Sequence, residues 1–195
     1  MKRTAFALTT VLLAGAAHAQ PSATDLGLLT GDFSTVISID PNEVRWFRFE
    51  VGQGATLGSG LYLDATTSST ATSIDTEIGL YDALGNRVAN DDDNGIGLSS
   101  TLSFGDGSGM MLGDSFNLGG DGLANGENGD LPAGVYYLAV GEFNVDFNDT
   151  NWDVVSTGTD TGGSIEVSIF TNTPAPGSLA LLGLGGLAAT RRRRA

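Results

Sequence analysis

The sequence contains no cysteine, and its one histidine, His18, lies in an apolar N-terminal leader. Without that leader no lysine remains either, because Lys2 leaves with it. Disulfides, thiol nucleophiles, Cys/His zinc sites and Ser-His-Asp triads each need a side chain that the exported chain lacks. Positive charge is scarce as well. The nine basic residues are Lys2, Arg3, Arg45, Arg48, Arg87, Arg191, Arg192, Arg193 and Arg194, so only three arginines lie between residues 20 and 173, against all 23 acidic residues. A body this acidic repels a phosphate backbone, whose binding rests largely on cationic contacts, so no nucleic acid is expected as a partner. From Gln20 to Thr173 no apolar stretch of useful length repeats at the helical period.

What is there begins with the leader. Lys2 and Arg3 precede the apolar run Ala5 to Ala17, and Ala17-His18-Ala19 supplies the small-x-small pattern that signal peptidase accepts. Residues 1–19 therefore read as a secretory signal helix, cut before Gln20. Residues 20–173 are long enough for one domain with its own core.

The pattern of that domain is β. In Val44 to Val51, "VRWFRFEV", Phe47, Phe49 and Val51 fall on one face while Trp46, Arg48 and Glu50 fall on the other, the alternation of a half-buried strand. Similar runs place Leu61, Leu63 and Ala65, then Ile78 and Leu80, then Leu102 and Phe104, then Tyr136, Leu138 and Val140, and last Ile165, Val167 and Ile169 on a common side. Between them stand "LGN", "DDDNG" and "LPAG", residues that supply positive φ or fix turns. Short strands, turn signals and no helices predict an all-β fold, an antiparallel β-sandwich or jelly roll. Residues 105–130, rich in glycine, read as a long insertion loop.

Three blocks in order, "WFRFEV", "DTEIGLYDALGNRVANDDDNG" and "LPAGVYYLAVGEF", resemble the bacterial pre-peptidase C-terminal domain over roughly residues 32–170. The resemblance implies a compact β-sandwich that assists binding or secretion and does not catalyse. Here no catalytic domain is expected ahead of it.

Carboxylates are the chemistry that remains. "NDDDNG", Asn90 to Gly95, places oxygen ligands at alternating positions before a glycine, like the opening of a calcium loop. The twelfth position is Thr101 where an EF-hand needs a bidentate Glu, and the flanks read as strands, so this is no EF-hand. Some members of the resembling family bind calcium through acidic turns. Asp75, Asp91, Asp92 and Asp93 are the corresponding metal candidates, with a solvated hairpin turning at Asn94-Gly95 as the plainer reading. No other cofactor is implied. Glu43, Glu50, Glu77 and Glu142 lie on or near strands, but their spacing selects no catalytic pair. A secreted carbohydrate-active enzyme or a calcium-dependent sugar-binding module stays as the alternative to a non-catalytic protein. It would need Trp46, Tyr62, Tyr81 and Trp152 to line an exposed face for an extracellular polysaccharide.

The chain finishes "PAPGSLALLGLGGLAATRRRRA", residues 174–195. Leu179 to Ala189 spans eleven residues, ~17 Å as a helix against a hydrocarbon core of ~30 Å. Gly183, Gly185 and Gly186 weaken that helix further. Arg191, Arg192, Arg193 and Arg194 would hold the C-terminus on the cytoplasmic side. A proline-bearing linker, a short glycine-rich hydrophobic helix and a basic end resemble the PEP-CTERM sorting signal of Gram-negative bacteria. The usual Pro-Glu-Pro is here Pro174-Ala175-Pro176. The resemblance implies transient insertion in the inner membrane, cleavage by an exosortase-type enzyme that accepts this form, and release to the cell surface or extracellular matrix.

Overall fold

The computed structural model describes residues 19–114, 120–157 and 161–174. The expected signal helix, up to His18, and the expected C-terminal hydrophobic helix lie outside the described residues. So do Ala175 and Pro176 of the sorting motif and all four of its arginines, Arg191, Arg192, Arg193 and Arg194; Pro174 is the last residue described.

Strands follow one another as β1 (Thr24–Leu29), β2 (Phe33–Ile39), β3 (Arg45–Val51), β4 (Tyr62–Thr66), β5 (Thr76–Asp82), β6 (Arg87–Asp91) and β7 (Thr101–Gly105). They continue as β8 (Met111–Asp114), β9 (Gly122–Leu123), β10 (Gly134–Glu142), β11 (Val145–Phe147), β12 (Val154–Ser156) and β13 (Gly163–Thr171). Five form one sheet in the order β1-β3-β10-β5-β6, four form a second in the order β2-β13-β4-β7, and β11-β12 and β8-β9 are two-stranded ribbons.

Register explains why the alternating residues meet. Leu138 of β10 stands opposite Phe47 on one side and Leu80 on the other, and Leu80 stands opposite Ala89. In the second sheet Ile169 stands between Phe33 and Ala65, and Ala65 faces Leu102. Side chains on one face of a strand repeat every second residue, so these rows generate one apolar face per sheet. The two faces share one core containing Phe47, Phe49, Leu63, Ile78, Leu80, Leu102, Phe104, Leu138, Ile165 and Ile169. Each such side chain contributes about 1.5–3 kcal/mol by leaving water. The sandwich predicted from the alternation is therefore the observed fold.

Two features differ from the sequence reading. First, β1 and β3 pair in parallel, the other sheet pairs being antiparallel. The chain leaves the first sheet after β1, forms β2 in the second and returns as β3, and a strand that returns by such a crossover runs parallel. Second, the segment read as a loop over 105–130 contains the β8-β9 ribbon, with Leu112 and Ala124 buried. Fully buried Asp64 holds this segment to the sheet: its carboxylate accepts hydrogen bonds from the Ser103 hydroxyl at 2.7 Å and the Ser108 amide at 2.9 Å. Burial raises the Asp64 pKa, and the donors from Ser108 and Ser103 oppose that rise. Asp64→Ala would leave both donors without an acceptor. It should lower the unfolding free energy by about 2 kcal/mol in urea titrations. A change under about 0.5 kcal/mol would show that the segment is held in place by other contacts.

The outer face of the five-stranded sheet is also covered. Tyr81, Tyr137 and Ala139 form a second cluster with Val145 and Phe147 of the β11-β12 ribbon, flanked by Trp46 and Trp152. Gly79 makes this possible, since a Cβ there would collide with the Phe147 ring. This sheet thus works as the middle layer of three over part of its area.

Candidate metal centre

The acidic candidates converge at one end of the sandwich. Asp75 immediately precedes β5, and Asp92 and Asp93 immediately follow β6, which pairs with β5 with Ile78 opposite Asp91. The paired strands bring residues distant in sequence to one edge. Carboxylate oxygens of Asp75, Asp92 and Asp93 lie within 4.8 Å of one another. Asp75 is partly buried and the other two are more open. A divalent ion with oxygen ligands at roughly 2.3–2.6 Å would fit between oxygens so spaced.

Asp91, the fourth candidate, is held elsewhere. Strand alternation turns it inward, where it is buried and accepts hydrogen bonds from the Thr101 amide at 2.7 Å and the Asn94 amide at 3.2 Å. Desolvation pushes its pKa up to about 7, against those two hydrogen bonds and with help from the charges of Glu127 and Asp92. Asp91 therefore secures the loop that presents its neighbours and is not grouped with them. The loop is not a hairpin either: β6 belongs to the five-stranded sheet and β7 to the four-stranded one, so residues 92–100 cross between layers. Gly95 takes its place in that crossing by donating to the Ser99 carbonyl at 2.7 Å.

Glu77, two residues from Asp75, accepts hydrogen bonds from the Asn144 and Val145 amides at 2.8 and 2.9 Å. Burial raises its pKa, those amides lower it, and the nearby charge of Asp92 raises it again. Burial and Asp93 likewise raise the pKa of Asp92. Negative charge is thus crowded at this end. The three arginines among the described residues are committed to other carboxylates: Arg45 to Glu43 at 2.9 Å, Arg48 to Asp25 at 2.8 Å, and Arg87 to Asp149.

The remaining glutamates occupy separate structural positions. Glu43 pairs with Arg45, Glu50 is exposed on the outer side of β3, and buried Glu142 accepts a hydrogen bond from the Gly162 amide at 3.3 Å. The aromatic residues needed for a sugar platform are not gathered on an open face. Tyr81 is fully buried, its hydroxyl donating to the Asn148 carbonyl at 2.9 Å and its pKa pushed up to about 12 by burial. Trp46 packs against Tyr81 at 5.6 Å between ring centroids, and Trp152 against Tyr137 at 5.9 Å. Tyr62 is on the other sheet, in β4.

The C-terminal segment gives the firmest link to known proteins. The family model of the PEP-CTERM protein-sorting motif matches residues 172–194, a span that takes in Pro174, Ala175 and Pro176 together with Arg191, Arg192, Arg193 and Arg194. This chain carries a PEP-CTERM sorting motif. Such a motif marks an exported protein of Gram-negative bacteria for membrane transit, recognition by an exosortase-type enzyme and sorting to the surface. The body is similar in structure to the pre-peptidase C-terminal domain of a collagenase from Bacillus anthracis, at 15% identity and a TM-score of 0.42, over 77% of this chain and 98% of that one. No curated protein matches the sequence.

Proposed function

We propose that the chain is a non-catalytic surface protein whose β-sandwich has a structural or adhesive role in the extracellular matrix. In this reading signal peptidase removes residues 1–19. The tail then pauses in the inner membrane and an exosortase-type enzyme cleaves near Pro174-Ala175-Pro176. The single observation that carries the reading is the sorting motif over residues 172–194. The carboxylates bound into structural hydrogen bonds favour a non-enzyme, and the packing of Trp46, Tyr81 and Trp152 disfavours a polysaccharide platform. The Asp75, Asp92 and Asp93 cluster, in turn, is proposed to bind calcium outside the cell and to tie the end of β5 to the loop after β6.

Mass spectrometry of the C-terminus of protein isolated from its native host, combined with cell fractionation, tests the sorting. The expected product is released and ends near Pro174. Serine in place of Arg191, Arg192, Arg193 and Arg194 should let unprocessed chain slip outward, since those charges set its orientation. Replacement of Pro174 and Pro176 should leave full-length protein in the inner membrane. Native protein that keeps Arg191 to Ala195 and stays with the membrane would make the tail an anchor and end the proposal.

A further inference from the structure

Four strands lie at the edges of the two sheets, and three of them are protected. β1 contains a bulge at Gly27, φ 67°, where its register with β3 shifts. β6 bears Arg87 and Asp91, and its Arg87 amide donates to the Asp149 carbonyl at 2.9 Å. β7 is covered by residues 126–129: the Ser103 amide donates to the Asn128 side chain, the Asn128 amide to the Ser103 carbonyl, and the Gly105 amide to the Gly129 carbonyl. Bulges, charge and cover are the usual means by which proteins blunt an edge.

Among the described residues β2 has no bulge, no charged side chain of its own and no covering backbone; only the Arg45 guanidinium reaches its open edge, at the Ser38 carbonyl. It runs in unbroken register with β13 from Ile39 to Phe33, and its sequence, FSTVISI, is uncharged in a strongly acidic body. The direction of its free hydrogen-bonding groups can be read from β13. The Glu166 amide, opposite Val36, donates to Thr72 Oγ1, and Ser164, opposite Ser38, exchanges hydrogen bonds with Ser73. At those positions β13 faces away from β2, so Val36 and Ser38, and by alternation Ser34, turn their amides and carbonyls to the open edge. The 3.4 Å hydrogen bond from Arg45 to the Ser38 carbonyl agrees with this direction.

The strand is also nearly symmetric about Val36: Ser34 mirrors Ser38, and Phe33 mirrors Ile39. We infer that the open edge of β2 pairs antiparallel with β2 of a second copy, about a two-fold axis at Val36. Val36 then faces Val36, Ser34 faces Ser38, and the outward-directed amides and carbonyls of one copy meet those of the other, the Ser38 carbonyl exchanging its long contact with Arg45 for the partner's Ser34 amide. Val36, 57% exposed, gains an apolar neighbour in the partner's Val36 on the outer face of the joined sheet. Asp32 of one copy comes opposite Asp40 of the other, a like-charge contact at each end of the paired strands. The high net negative charge of each copy opposes association, so pairing should strengthen as salt rises from about 0.05 to 0.5 M. The inference is independent of calcium and of tail cleavage, and its failure would leave the sorting reading untouched.

The absence of cysteine makes the test clean. Single-cysteine variants of the chain, isolated after export, are treated with a short cross-linker that carries two thiol-reactive electrophilic groups. Val36→Cys should link to itself, because paired Cα atoms there lie about 5.5 Å apart. Ser34→Cys should not, since its two copies are about 13 Å apart, whereas a mixture of Ser34→Cys and Ser38→Cys should link. Val36→Pro removes an outward donor but no bond to β13, and it should weaken association at least tenfold in sedimentation velocity while the melting temperature stays near wild type. A chain that stays monomeric across the salt range overturns the pairing. So does association unchanged by Val36→Pro, or equal self-linking at positions 34 and 36.

Discussion

Calcium at about 10 mM should raise the melting temperature of the chain by roughly 4–10 °C over a chelator control. Extracellular calcium modules bind with dissociation constants of ~0.1–1 mM, so this concentration would favour the folded state by about 1.4–2.7 kcal/mol. Asp75, Asp92 and Asp93 bring three carboxylates together, and without a cation their mutual repulsion is a cost of folding. Changing Asp92 and Asp93 together to asparagine should abolish the calcium response and slightly raise the melting temperature in chelator. Binding should also release protons in acid solution where these groups are partly protonated, because a cation beside Asp92 and Glu77 opposes the rise in their pKa values. Calorimetry in two buffers of different ionisation enthalpy reads that release. Coincident melting curves with calcium and with chelator would leave the cluster as solvated surface.

How legible these features were depended on which strand carried them. Phe47, Phe49 and Val51 declared their strand because β3 lies inside its sheet and alternates core with outer face, so burial and period coincide. In β4, β5, β7, β10 and β13 the apolar residues alternate in the same way along the sequence, although most positions of β4, β5, β7 and β10 are buried on both faces. β2 was silent because an edge strand carries Ser and Thr among its apolar residues and shows no sharp contrast between faces. The β11-β12 ribbon was silent for another reason: three-residue strands are too short to display a period, although Phe147 and Val145 close the outer face. The acidic run was visible, but its division was not. Asp91 differs from Asp92 only because β6 ends at Asp91 and strand alternation sends that carboxyl inward. A strand boundary of that kind is the least certain feature a sequence provides.

That division has a measurable consequence. Because the folded chain raises the Asp91 pKa to about 7, well above the ordinary carboxylate value of ~3.9 expected when unfolded, the folded state binds the proton more tightly between those values. Stability from this group is therefore fully present below about pH 4 and is lost as pH rises through 7. At about 1.4 kcal/mol per pH unit, over roughly three units, the loss is on the order of 4 kcal/mol. Asp64, Glu77 and Asp92, also raised, act in the same direction, while Asp82, lowered by hydrogen bonds, acts only at more acid pH. In chelator the wild-type chain should thus be less stable at pH 8 than at pH 5. Asp91→Asn keeps an oxygen to accept from the Thr101 and Asn94 amides but cannot ionise. It should match wild type at or below about pH 4 and exceed it by on the order of 4 kcal/mol at pH 8, read from urea midpoints at each pH. Parallel pH profiles for the two proteins would mean that Asp91 is already ionised in the fold. In that case the inward carboxylate would be held as an anion by its two amide donors.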